Sequence, residues 1–290
     1  MRAPTALRPG DPIVVVAPSG PVPEARYRAG LERLAARYDV RSTPRIFERT
    51  GYLAGGDDAR LAELDAAFAS DAKAIVCARG GYGLMRLLAR LAPVTDKLVV
   101  GFSDVTALHA VMARAGVRSV HGPVVTQLGE LPDDDVSSLW ALLEGSLGAP
   151  IVGLDSAGTS ATVEGCLVGG NIELVSSLVG TPWAYALRGN VLLLEEIGER
   201  PYRIDRQLTQ LLLTGALDGV VAIVVGDLVD CNAPEGPTAL EVVTERLRGL
   251  GVPILTGLPV GHGSRNRALA HGARVRVEPG RLTFLEPAAQ

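Results

Sequence analysis

The sequence is poor in cysteine and in aromatic residues, and it has no long apolar run. Its 290 residues include 3 widely spaced cysteines, so we expect no disulfide framework, and a reducing cytoplasm is the simplest location. Aromatic residues make up 4% of the chain, so the core must be built from Val, Leu, Ile and Ala. No run reaches the roughly 18 apolar residues of a membrane span, so no contact with a membrane is expected.

Several classes of function are disfavoured by what is missing. The formal net charge of −4 supplies no basic field for nucleic acid. The cysteines have no paired metal-ligand spacing, and there is no HExxH, Walker A or GxGxxG pattern, so neither a metal nor another cofactor is expected. The N-terminus lacks an apolar segment long enough for a signal peptide. With 47% hydrophobic and 21% charged residues, the composition is typical of a globular protein.

Short apolar runs alternate with amphipathic segments through the first 120 residues. This alternation is typical of βαβ units, so it predicts an α/β domain with a parallel sheet. Functional residues of such sheets lie beyond the carboxyl ends of the strands. The predicted strands cover residues 12–17, 40–44, 74–77 and 98–100, and the predicted helices cover 23–38, 57–69, 84–91 and 106–115.

The middle of the chain changes character over residues 130–159, which are rich in Asp, Gly, Ser, Pro and Ala and contain one predicted helix over residues 137–143. We therefore predict an N-terminal α/β domain over residues 1–145, a linker over 146–160 and a C-terminal domain over 161–290. The last segment alternates apolar and polar residues around Pro279-Gly280, which indicates a β-hairpin. The C-terminal domain is therefore predicted to be a β-rich α+β domain.

Ser103 lies where a predicted strand passes directly into a predicted helix. Such a turn exposes the hydroxyl at the top of a sheet, beside free backbone N–H groups at the helix start. An acyl-transfer nucleophile needs both this exposure and these donors. The alternative is that Ser103 or Asp104 merely caps the helix.

Two further residues complete a possible triad. Glu195 ends a strand made mostly of leucines, where a buried carboxylate needs a partner. Its neighbour Glu196 must point to the opposite face, so one of the two is expected to face a site while the other caps or forms an ion pair. His262 lies between glycines in a loop, which suits a side chain that must be aimed. Ser103, Glu195 and His262 would then supply nucleophile, orienting acid and base.

Four other residues are candidates either for a functional role or for a structural one. His121 also lies at a strand end, while His109, inside a helix, is interpreted as structural. Cys77 precedes a double glycine, but we interpret it as buried packing because no histidine follows at a suitable position. Arg79 could bind a substrate carboxylate or form a structural ion pair.

Eight motifs along almost the whole chain resemble those of the LD-carboxypeptidases, a family of serine peptidases acting on murein tetrapeptide or on microcin C. Each motif is weak alone, but their order and spacing are specific. The motifs are VAPSG (16–20), YLAG (52–55), ARGGYG (78–83), GFSDVT (101–106), HGP (121–123), GGN (169–171), LEE with PYRIDR (194–196 and 201–206), and GHG (261–263).

The resemblance implies the fold and the site. It implies an N-terminal domain similar to class I glutamine amidotransferases and a C-terminal domain with much β structure. It also implies Ser103 as nucleophile, Glu195 as orienting acid, His262 as base, and an oxyanion hole from the backbone of Gly81 and Asp104. The substrate contacts expected with it are Arg79, Gly80, His121, Asn171 and Trp183. A cytoplasmic homodimer that needs no metal is implied as well.

Two departures from the family pattern concern the C-terminal half. The family usually has Glu-Asp where this chain has Glu195-Glu196, and the leucine run places Glu195 in the family position. The family commonly has proline where this chain has Ala270, which leaves the role of His271 open.

Three functions remain in view from the sequence. The favoured one is removal of the terminal D-alanine of murein tetrapeptide, by cleavage of an L-to-D peptide bond, in cell-wall recycling. The first alternative is an immunity-type peptidase that cleaves peptidyl- or aminoacyl-nucleotide antibiotics, for which Trp183 and Tyr185 could supply an aromatic surface. The other is a non-catalytic small-molecule binding protein, which would predict the loss of a triad residue.

Overall fold

A computed structural model describes all 290 residues, which form fourteen strands and eight α-helices. The strands are β1 (Pro12–Val16), β2 (Asp39–Arg41), β3 (Ala74–Cys77), β4 (Leu98–Gly101), β5 (Ser119–His121), β6 (Ile151–Val152), β7 (Asp155–Gly158), β8 (Val163–Asn171), β9 (Val191–Ile197), β10 (Ala222–Val229), β11 (Pro253–Thr256), β12 (Leu269–His271), β13 (Arg274–Glu278) and β14 (Arg281–Phe284). The helices are α1 (Glu24–Ala35), α2 (Asp57–Ala69), α3 (Thr106–Arg114), α4 (Val125–Leu128), α5 (Asp133–Leu143), α6 (Ile172–Ser177), α7 (Pro201–Leu213) and α8 (Ala239–Arg248).

The first sheet contains the N-terminal strands in the order β12-β5-β4-β3-β1-β2. The pairs from β2 to β5 are all parallel, which confirms the predicted parallel sheet, and β12 adds to its edge antiparallel to β5. Parallel strands end at the same edge of a sheet, so the segments that follow β1, β3 and β4 lie side by side. This edge carries the turn with Ser103.

The second sheet is mixed and has the order β6-β14-β13-β8-β9-β10-β11-β7. Its centre, from β8 to β11, is parallel, and its two sides are antiparallel, including the predicted hairpin of β13 and β14. The predicted linker 146–160 contains β6 and β7, which pair with β14 and β11. One strand from the C-terminal half, β12, lies in the first sheet. The division of the chain into two domains and a linker stays a prediction.

Two predicted helices differ from those observed. Residues 84–91, predicted as a helix, form only a 3-10 turn over Leu84–Arg86, followed by turns in which the N–H groups of Arg90 and Leu91 donate to the Leu87 carbonyl. The helix predicted from residue 137 begins at Asp133, because three consecutive aspartates fill its first turn and interact favourably with the helix dipole.

The core is aliphatic, as the composition predicts. One buried cluster joins the two sheets, with Val100 of β4, Leu269 of β12 and Val275 of β13 among its members. Shared burial of this kind holds the two sheets in a fixed relation, so side chains from both halves can form one site. None of the helices combines the length and the apolar character needed to cross a membrane.

Candidate active site

Ser103 occupies a strained turn between β4 and α3. Its φ angle is 64°, and among residues other than glycine only Asp230 also has a positive φ. A short 3-10 turn over Ser103–Val105 then leads directly into α3. A non-glycine residue persists in this conformation only where the surrounding structure enforces it, and such strain is concentrated at functional sites.

A cavity of about 390 Å³ opens above this turn. Ser103, His262, Arg79, Gly80 and Gly81 all line it, so residues predicted from three separate motifs come together. The remaining lining residues are Arg26, Phe102, Val124, Thr126, Gln127 and Ile197.

Glu195 and His262 form a hydrogen-bonded pair at the side of this cavity. The Nδ1–H of His262 donates to Oε2 of Glu195 at 2.8 Å, and the Glu195 side chain is fully buried. This bond fixes the tautomer that leaves Nε2 free to accept a proton. Ser103 and His262 make no hydrogen bond in this structure, and catalytic contacts of this kind often tighten only when substrate binds.

Gly261 allows this pair to approach closely. Its φ is 124°, and a Cβ at this position would lie 2.9 Å from Oε2 of Glu195. Any other residue would therefore push the carboxylate away from His262. The ring of Phe102 supports His262 from the other side, with the two ring centroids 4.6 Å apart.

Glu196 has the separate role expected of its opposite orientation on β9. It accepts hydrogen bonds from Asn171 Nδ2 at 2.8 Å and from the Glu173 N–H at 2.9 Å, at the start of α6. Burial raises the pKa of Glu196 to about 7. The predicted division of labour is therefore observed, since Glu195 contacts the histidine and Glu196 caps a helix.

Backbone N–H groups lie beside the Ser103 hydroxyl. A Cβ on Gly80 would be 2.9 Å from Ser103 Oγ, so only glycine lets the 80–81 peptide approach this closely. The carbonyl of Gly80 accepts from Gly20 N at 3.0 Å, and the N–H of Gly81 donates no hydrogen bond in the structure. The N–H of Asp104 lies in the first turn of its helix, where backbone donors lack intrahelical partners. The Asp104 carboxyl itself is buried, and burial raises its pKa.

Three other histidines form a buried cluster behind the turn. His109 donates from Nε2 to the Gly101 carbonyl at 2.9 Å and accepts at Nδ1 from Ser119 at 2.8 Å, which agrees with its structural interpretation. His271 accepts at Nε2 from Gly169 N at 3.2 Å and stacks on His109. The role that the sequence left open for His271 is thus packing between the two sheets. His121 is fully buried and neither of its ring nitrogens has a hydrogen-bond partner.

Three of the expected substrate contacts do not line the cavity. His121 is buried in the cluster just described. The Asn171 side chain is engaged in capping α6, where it accepts from Leu174 N at 3.3 Å and donates to Glu196. Trp183 is half-buried and packs against the apolar cluster that contains Phe102.

The contacts of Arg79 and the burial of Cys77 distinguish between a functional and a structural role for each residue. Arg79 forms no ion pair and donates from Nη1 to the Pro21 carbonyl at 2.6 Å, so its charge is available to the cavity. Cys77 is fully buried on β3, and burial raises the pKa of its thiol, which agrees with packing rather than nucleophilic attack.

Sequence reasoning missed Gln127 and Asn266, which hold the histidine loop. Gln127 lines the cavity and donates from Nε2 to the Gly261 carbonyl at 3.2 Å. Asn266 accepts from Gly261 N at 3.1 Å and donates to Oε1 of Gln127 at 2.7 Å. These two residues are 139 positions apart and lie in no recognisable motif, so only the folded chain reveals their contact.

Comparison with known proteins identifies the class. Residues 13–122 match the LD-carboxypeptidase N-terminal domain, and residues 164–277 match the LD-carboxypeptidase C-terminal domain. The chain is 38% identical over 293 residues to a putative carboxypeptidase of Synechocystis sp., covering 97% of each sequence. It is 33% identical over 292 residues to the murein tetrapeptide carboxypeptidase of Pseudomonas aeruginosa, covering 94% of each.

The fold is shared with a solved structure. The microcin C7 self-immunity protein MccF, in complex with aspartyl sulfamoyl adenosine, superposes with a TM-score of 0.91 at 23% identity over all of both chains. Together, the fold, the site and the sequence matches define a serine-type carboxypeptidase, a hydrolase. Within this class, the chain belongs to the LD-carboxypeptidase family.

Proposed function

We propose that the protein removes the terminal D-alanine of murein tetrapeptide by hydrolysing an L-to-D peptide bond through a Ser103-Glu195-His262 triad. The observation that carries this proposal is the Glu195–His262 hydrogen bond at the cavity that contains Ser103. The substrate is suggested by the murein tetrapeptide carboxypeptidase of P. aeruginosa, which matches nearly the whole chain.

The geometry supports the following sequence of steps. Nε2 of His262 takes the Ser103 proton as Oγ attacks the scissile carbonyl, and Glu195 stabilises the imidazolium. The N–H groups of Gly81 and Asp104 stabilise the oxyanion. His262 then protonates the leaving amine, the C–N bond breaks, and D-alanine departs from an ester on Ser103. Water, activated by the same histidine, hydrolyses the ester and restores the serine.

Arg79 and Gly80 are the proposed substrate contacts that line the cavity. The guanidinium of Arg79 has no carboxylate partner within the protein, which suits it to a carboxylate of the substrate. The cytoplasmic location and the homodimer implied by the family remain predictions.

One assay tests both the proposed function and the immunity-type alternative. Purified protein is incubated with murein tetrapeptide and, separately, with a peptidyl nucleotide of the microcin C type, and products are identified by mass spectrometry. We expect release of one D-alanine, and a loss of roughly 10⁴-fold or more in Ser103→Ala. Ser146→Ala, an exposed serine without side-chain hydrogen bonds, is the control and should match the wild type.

The outcomes separate the candidate functions. Cleavage of the nucleotide alone would assign the protein to the immunity branch. Cleavage of a tetrapeptide ending in L-alanine at the same rate as the D-alanine form would contradict the proposed stereochemistry. Binding of tetrapeptide without turnover would instead support a non-catalytic binding protein.

A further inference from the structure

A second cavity adjoins the one above Ser103. It measures about 550 Å³, against about 390 Å³ for the catalytic cavity, and Arg79 and Gly81 line both. A ligand with its reacting carbonyl at Ser103 can therefore extend past Gly81 into the larger space.

The charge of this double cavity has one sign. The chain contains 32 acidic residues, yet no Asp or Glu lines either cavity. Arg49 and Arg79 both line the second cavity without an ion-pair partner, and each donates instead to a backbone carbonyl, that of Gly51 at 3.1 Å and of Pro21 at 2.6 Å. A cleft with unneutralised charges of one sign concentrates ligands of the opposite charge.

The second cavity also gathers exposed aromatic side chains. Phe47, Tyr52 and Tyr82 line it with 39%, 66% and 49% of their surface exposed, in a chain with few aromatic residues. The rings of Tyr52 and Tyr82 meet edge to face, with their centroids 5.7 Å apart. Apart from these three, Tyr202 is the only aromatic residue among the large exposed hydrophobic side chains. Exposed aromatic clusters of this kind mark binding surfaces.

The size of the second cavity indicates which part of a substrate occupies it. The leaving group of the proposed reaction is a single alanine, which is far too small to fill about 550 Å³ lined by three aromatic rings. The acyl part of the peptide is longer and remains attached to Ser103 after the first step. It is therefore the part that fits.

We propose that the second cavity is a subsite for an acidic residue of the acyl peptide, upstream of the scissile bond. Arg49 and Arg79 bind its carboxylate, and Tyr52 and Tyr82 pack against its methylene groups. This inference rests on the proposed carboxypeptidase function and specifies the substrate further, since it makes the enzyme selective for acidic acyl peptides.

The test uses matched peptides ending in D-alanine that differ only in an upstream side chain, which is either a carboxylate or its carboxamide. Wild-type enzyme should cleave the carboxylate peptide with a kcat/KM about tenfold higher, expressed mainly in KM. Arg49→Gln should lower this ratio to about threefold, because Arg79 alone then binds the carboxylate. Arg90→Gln, which removes an exposed arginine paired with Asp58 elsewhere, is the control and should leave the ratio unchanged.

A second pair of variants tests the aromatic wall. Tyr52→Ala should raise KM for the full peptide but not for a truncated acyl-D-alanine that cannot reach the subsite. Tyr202→Ala, which has a similarly exposed ring outside this cavity, should raise neither. If the carboxylate peptide is still preferred about tenfold over the carboxamide peptide in Arg49→Gln, the subsite is overturned while the carboxypeptidase function stays intact. If no D-alanine peptide is cleaved, truncated ones included, the proposed function fails and the subsite falls with it.

Discussion

The backbone of Ser103, the proposed nucleophile, is strained. With φ at 64°, the residue is in the left-handed region, where a Cβ costs about 1 kcal/mol or more and glycine costs little. The strain places the hydroxyl in the cavity, next to the close-packed backbone of Gly80. Under the proposed mechanism, activity at this position is therefore gained at the expense of stability.

Replacing Ser103 should separate these two effects. Ser103→Gly and Ser103→Ala should both be inactive, but the glycine variant should be more stable than the alanine variant by about 1 kcal/mol because it removes the Cβ. Urea unfolding of both proteins measures the difference. A glycine variant less stable than the alanine variant would argue against strain at this turn.

The two neighbouring glutamates make a second prediction at this scale. Glu195→Gln should lower kcat by roughly 10³- to 10⁴-fold, because an amide no longer holds His262 in the required tautomer. Glu196→Gln should affect kcat much less and act mainly on stability, since Glu196 caps α6. Steady-state kinetics with murein tetrapeptide compare the two, and the reverse order would exchange their roles.

The loop between β11 and β12 is the element on which the base depends. Besides the contacts of Asn266 and Gln127, Arg265 donates from Nε and Nη2 to the two carboxylate oxygens of Asp135, each at 2.7 Å. Asp135 is buried at the start of α5, so the loop from the C-terminal half is fixed to the N-terminal half. These contacts hold the loop that carries His262.

Loss of Asn266 should therefore misplace the base. Asn266→Ala leaves the Gly261 N–H and Oε1 of Gln127 unpaired, which should cost about 1–3 kcal/mol of stability and lower kcat more than it raises KM. Asn190→Ala, which removes only an exposed contact to the Ala186 carbonyl, is the control. Equal kinetics in the two variants would show that the loop is held by other contacts.

The sequence predicted most elements because each leaves a local signal. The strand β3 and the helix α2 are predicted at their observed bounds, the strand from a short apolar run and the helix from an amphipathic segment. The absence of a longer helix at 84–91 could not be recognised, because this segment has apolar residues at helical spacing and no internal glycine or proline. Motifs located the cavity residues, but not Gln127 and Asn266, whose roles depend on a long-range contact.

At the scale of the whole molecule, the buried histidine cluster connects the two sheets. Its hydrogen bonds run from Gly169 on β8 through His271, Ser119 and His109 to the Gly101 carbonyl, two residues before Ser103. Every histidine in this chain of contacts must be neutral. Burial lowers the pKa of His109 to about 4 and that of His271 well below 6.5.

Folding should therefore weaken in mild acid. Burial also lowers the pKa of His121 well below 6.5, so between pH 6.5 and about 4 the unfolded chain binds up to three more histidine protons than the folded one. The raised pKa values of Glu196, Asp104 and Asp227 act in the opposite sense, because the folded state retains those protons.

The histidines should prevail near pH 6, where Glu196 accounts for about one proton in the opposite direction. The free energy of unfolding should then fall by roughly 2 kcal/mol per pH unit on acidification. Urea unfolding at pH 7.5, 6.5 and 5.5 measures this slope. Stability that is constant or increases over this range would show that the cluster does not couple folding to protonation.

The most direct test of the triad is to capture the acyl group on the enzyme. Protein mixed with murein tetrapeptide is quenched in acid within milliseconds, digested and analysed by mass spectrometry. We expect an ester on the peptide containing Ser103, heavier by the acyl part without its D-alanine, and no ester in Ser103→Ala. An acyl group on any other residue, or D-alanine release by Ser103→Ala at the wild-type rate, would contradict it.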